Sequence, residues 1–143
     1  MMLLFIVILG VLVLINIRSE LKSRRLLQRF WSRSCTGQQW KRCFPNASKD
    51  SIRDFLGLFV DAFLFSSDKR FKFGPDDKIM EVYKSLYPYS WSADAMELGI
   101  FGMNIEDKYG IDIKRKFTPD ITLGQIFDLT RNHKVIFRTF LSS

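Results

Sequence analysis

Residues 94–109, DAMELGIFGMNIEDKY, carry Leu98, Phe101, Ile105 and Tyr109 on one stripe at helical spacing. Asp94 with Glu97 three residues later forms a capping-box-like start, and Gly110 suits a C-terminal cap. A helix is therefore expected here, and its two internal glycines, Gly99 and Gly102, fit close packing of a neighbouring helix better than the alternative, a partner-docking groove. Reading outward in both directions finds the same period. On the C-terminal side, residues 122–132 (TLGQIFDLTRN) offer Thr122 as cap, Gln125 at the capping-box position, and Ile126, Phe127 and Leu129 as apolar residues. The tail at 135–141 fits either a continuation of that helix or a strand. On the N-terminal side, Pro75, Asp76 and Asp77 open a short helix through about Leu86, with Ile79, Tyr83 and Leu86 on one side. Before it, residues 50–65 place Ile52, Phe55, Leu56, Phe59 and Phe63 at helical spacing. The connector between these two holds Phe71 and Phe73 around Lys72.

The first 17 residues are of another kind. MMLLFIVILGVLVLINI has no charge and only Asn16 as a strongly polar side chain. As a helix it extends roughly 25 Å, near the lower limit for crossing a bilayer core. No basic residue precedes the apolar run and no small-residue cleavage site follows it, so the expectation is an uncleaved transmembrane anchor.

Net charge is +7, and its distribution is more informative than its size. Residues 18–43 hold eight cations against the single acid Glu20, leaving 14 of the 22 cations and 14 of the 15 acids for residues 44–143. The remainder is neutral, so the high pI gives no reason to expect nucleic-acid binding. Arg18, Lys22, Arg24, Arg25, Arg29 and Arg33 form a collar on one flank of the apolar run. By the positive-inside rule this places the rest of the chain in the cytoplasm, at the inner face of a bacterial inner membrane. Leu21, Leu26, Leu27, Phe30 and Trp31 are interleaved with those cations, a composition suited to a helix lying at the headgroups of an anionic lipid surface. Residues 34–48, mixing Gly, Pro, Asn and Ser without a period, read as a linker. The expected organisation is an anchor at 1–17, a collar and linker at 18–48, and an all-α domain at 49–143.

Chemistry-bearing residues are sparse. Cys35 and Cys43 are separated by seven residues, and His133 is the lone histidine, so neither a zinc ligand set nor a Cys-His pair is in view. In the cytoplasm both thiols are expected to be reduced. No phosphate-binding loop is present, and the reading is of a protein that is not an enzyme and needs no cofactor or metal.

The stretch from Asp94-Ala95-Met96-Glu97-Leu98 through Phe101, Ile105, Glu106, Asp107 and Tyr109-Gly110-Ile111-Asp112-Ile113 resembles the second helix of acyl carrier proteins. Residues 120–127 (DITLGQIF) resemble their last short helix, and the likeness spans roughly residues 51–131. The resemblance implies a small helical bundle, a partner-docking site near Asp94 and Glu97, and a phosphopantetheine-bearing serine at the helix start. That position holds Ala95, which has no hydroxyl to esterify, and the only nearby serines, Ser90 and Ser92, precede the helix. Residues 44–143 also lack the acidity of carriers, and the 71–91 connector is longer than a carrier loop. The expectation is a divergent bacterial carrier-like protein that has lost its arm and binds a protein partner. Alternatives are an atypical carrier modified on another serine, or a small inner-membrane immunity or stress protein.

Overall fold

The computed structural model of the protein describes residues 1–89 and 95–141, with side chains through residue 133 in the last helix. It is all-helical among the described residues, apart from an isolated antiparallel bridge between Lys78 and Thr122.

α1 (Met2–Trp31) is one unbroken helix of 30 residues, about 45 Å long. After Gly10 it contains neither Gly nor Pro, and Leu, Arg, Lys and Gln favour helix, so nothing stops it where the apolar run ends. Its first half is exposed on every side and is long and apolar enough to cross a membrane. Its last two turns are different. Leu27 and Phe30 are buried and Trp31 packs against the core.

This corrects the reading of residues 18–31 as a helix lying along the headgroups. Leu27, Phe30 and Trp31 spend their apolar surface on protein, while Leu21 stays exposed. The expected linker is also replaced by structure. α2 (Gly37–Cys43) occupies it and buries Trp40 completely, with the indole N–H donating to Phe73 O at 2.9 Å. Buried Thr36 places Oγ1 within 2.9 Å of Phe71 O and 2.8 Å of Phe73 O. The packed domain thus starts near Leu27 rather than at residue 49.

α3 (Lys49–Ala62) starts at Ser48, whose hydroxyl accepts from Ser51 N–H at 3.0 Å. All five residues of its expected apolar face, Ile52, Phe55, Leu56, Phe59 and Phe63, are at most 2% exposed. A 3-10 turn at Ser67–Lys72 delivers Phe73 into the core. Asp77 then accepts from Gly74 N–H at 2.7 Å, closing the turn at 74–77, so α4 (Ile79–Leu86) starts later than Pro75. α5 (Met96–Tyr109) ends on Gly110 at φ 71°, a left-handed cap that glycine adopts without a Cβ penalty. α6 (Leu123–Leu141) opens with the expected reciprocal box: Thr122 N–H donates to Gln125 Oε1 (2.9 Å), and Gln125 N–H to Thr122 Oγ1 (3.2 Å). The tail is a continuation of this helix.

Aromatic rings bind these elements together. Phe127 of α6 lies 5.6 Å from Trp40 and 5.2 Å from Phe55, and Phe73 lies 5.5 Å from Phe30, 5.6 Å from Trp31 and 5.0 Å from Phe59. α1 thus joins the core through Phe73 and through Phe65, 5.1 Å from Trp31, while it also packs along α4.

Candidate functional site

The start of α5 is where sequence resemblance concentrates chemistry. Asp94, expected as cap and docking residue, lies outside the described residues, as do Ser90 and Ser92. Ala95 occupies the N-cap position at φ 61°, a conformation unusual for a residue with a Cβ, and its N–H donates to Tyr83 Oη at 2.7 Å. Tyr83 is itself buried in α4, so α4 holds the entry to α5 through its phenol. Ala95 also borders a shallow apolar cavity of about 320 Å³ with Leu98, Gly99, Gly102, Ile113 and Phe117.

Glu97 does not face solvent. It is 7% exposed, and one carboxylate oxygen accepts the Tyr87 hydroxyl, while its Oε2 has no hydrogen-bond partner among the described residues. The expectation of Glu97 as a docking contact is corrected on this ground, because a buried side chain bonded to the Tyr87 hydroxyl does not offer its charge to a partner. The expected packing of a helix on Gly102 is corrected too. A Cβ there would meet Lys114 and Ile113 side chains from the segment after α5, and one at Gly99 would meet nothing within 4 Å among the described residues.

The six collar cations divide. Arg33 forms a doubly bonded ion pair with Asp77 at 2.7 and 2.8 Å, and Arg29 reaches Ser85 Oγ at 3.2 Å and Glu81 at 3.6 Å. These two brace α1 against the domain. Lys22 lies 4.6 Å over the Tyr89 ring, and Arg24 is 3.9 Å from Glu20 one turn earlier. Arg18 and Arg25 make no ion pair among the described residues.

Tyr83 and Tyr87 are the site residues that sequence reasoning missed. Tyr83 reads only as part of the apolar side of its helix and Tyr87 follows that helix's end, and nothing local links either hydroxyl to a helix start ten to twelve residues on. Cys35 and Cys43 are free and exposed. Among the described residues no three His, Cys, Asp or Glu side chains gather as a metal site. No protein-family model, curated protein or solved structure matches the chain.

Proposed function

We propose that this chain is a membrane-anchored, non-enzymatic interaction module with an acyl-carrier-like helical domain that lacks the prosthetic-group serine. One observation carries the reading: α1 is a single helix whose exposed apolar half leads without a break into the buried Leu27 and Phe30. Such a helix transmits its own orientation to the domain, which it holds beside the membrane at a set height and rotation. Lys22 lies against Tyr89 only five residues past Ile17, so Tyr89 stands about 8 Å beyond the apolar run, at headgroup level. The one-sided collar favours the cytoplasmic face of a bacterial inner membrane, with Arg18 and Arg25 beside anionic lipid.

The non-carrier part of the proposal is supported by the methyl group of Ala95 at the helix start. Intact mass of the protein purified from its own cells tests it. The bare-chain mass is the expected result, and an added phosphopantetheine on any serine would overturn it. Crosslinking before purification should retain a protein partner, and a domain crosslinked to lipid alone would contradict the interaction role. For orientation, a reporter fused after Ser143 should be active in the cytoplasm, and activity only outside it would reverse the topology.

A further inference from the structure

Beyond the anchoring role, we infer that a cleft built by the segment between α1 and α3 is a binding site for a small amphipathic anion: one phosphate, sulfate or carboxylate on an apolar body. The cleft has a volume of about 690 Å³, within the range of small-molecule sites. Its floor is apolar, made by Gly37, buried Ile52 and half-buried Phe71. Four cations line it, Lys41, Arg42, Lys49 and Arg53, and no carboxylate does. Lys41 lines the cleft while its ammonium is held by Ala47 O at 2.7 Å and Pro45 O at 3.2 Å, carbonyls outside the lining that leave its charge uncompensated. Arg53 alone is paired, 3.3 Å from Asp50, whose side chain is 85% exposed. Arg42 and Lys49 have no acidic partner among the described residues.

Each half of this lining excludes a class of ligand. A bare inorganic anion leaves the apolar lining unused, and a neutral apolar molecule leaves Lys41, Arg42 and Lys49 without a compensating anion. A molecule with both features satisfies the whole lining. The position of the cleft decides where such a molecule comes from. Cys35, at its edge, follows Trp31, which stands about 21 Å along the α1 axis from Ile17. No residue of the apolar half of α1 lines the cleft, which favours a soluble anion over the headgroup of a bilayer lipid as its ligand.

Cys35 provides the reporter and Cys43 the internal reference, since both thiols are exposed but only Cys35 lines the cleft. The full chain in phosphatidylcholine nanodiscs is alkylated with iodoacetamide, and the two rates are read by peptide mass spectrometry. With 1-naphthyl phosphate as probe, Cys35 alkylation should slow at least fivefold and saturably, with the Cys43 rate unchanged. Inorganic phosphate and 1-naphthol, each at the same concentration, should change the Cys35 rate less than twofold. The double variant Arg42→Glu, Lys49→Glu alters exposed side chains only and should weaken apparent probe affinity at least tenfold, whereas Arg115→Glu, outside the cleft, should leave it unchanged. A Cβ at Gly37 would stand 3.5 Å from Cys35 Sγ and 3.9 Å from Phe71 Cδ1, so Gly37→Leu puts bulk between lining residues and should abolish protection. Equal protection by 1-naphthol, equal protection by inorganic phosphate, no protection by the probe, or undiminished affinity in the charge-reversed variant would each overturn the assignment. These rates read the cleft whether or not α1 crosses a membrane, so their failure is separate from a failure of the anchor.

Discussion

Phe30→Ala removes the ring by which α1 enters the domain core. That ring is 1% exposed, its centroid is 5.5 Å from Phe73, and the Arg29 and Arg33 guanidinium carbons stand 4.7 and 4.8 Å from it. Lost burial is worth about 1.5–3 kcal/mol, and the lost ring pair about 0.5–1.5 kcal/mol more. With the cavity left behind, the cost should be about 3–4 kcal/mol, in the range of buried Phe→Ala changes. For a domain of this size each kcal/mol lowers Tm by about 4 °C, so the midpoint should fall by roughly 12–16 °C. Thermal unfolding of the full chain in nanodiscs, followed by near-ultraviolet circular dichroism of the tryptophans, reads this shift. Leu14→Ala is the control, since Leu14 is 61% exposed in the apolar half of the same helix and should leave the domain midpoint unchanged. If both variants unfold within about 3 °C of the parent, α1 does not contribute to the core and the rigid attachment is refuted.

Gly124→Ala places a Cβ 2.8 Å from Pro75 O and 3.0 Å from Pro75 Cβ, where the obstacle is backbone, so thermal unfolding should show a loss of about 1–3 kcal/mol. Ala95→Gly should do the opposite. It relieves the positive φ at the start of α5 and should raise stability by about 0.5–1 kcal/mol in denaturant titration, whereas Ala95→Val should lower it. Burial and then the Asp54 carboxylate push the Tyr109 phenol up to about 12, so the folded chain keeps this proton where the unfolded chain begins to lose it near pH 10. The stabilisation is complete below pH 10 and is lost as pH rises toward 12; a difference absorbance titration of the parent against Tyr109→Phe should show a step at about 12, and a step at 10 would contradict the burial.

Where a helix is long and buries a repeated face, its residues announced it. The α3 face and the Thr122–Gln125 box are local patterns, and each appears as read. α2 was invisible for a physical reason: seven residues with a single buried side chain, Trp40, contain no period to detect. The end of α1 failed differently, because Leu27, Phe30 and Trp31 among arginines suit lipid and protein equally well. Partners far along the chain decide between them: Phe65, and Phe73, 42 residues beyond Trp31 and brought in by a 3-10 turn. The same limit applies to the candidate sites. Glu97 sits on the acidic first turn of its helix and gives no sign of Tyr87 above it, and the four cleft cations were legible as charge but not as a shared wall.

The central claim is that α1 continues straight from the membrane into the domain, and a spin-label accessibility scan over residues 14–26 in nanodiscs tests it most directly. An upright helix predicts that labels lose contact with lipid-dissolved oxygen beyond Ile17 and stay out of lipid on every face through Arg25. An oscillation between lipid and water with a 3.6-residue period from Arg18 onward would mean that the helix turns to lie along the surface, contradicting the account.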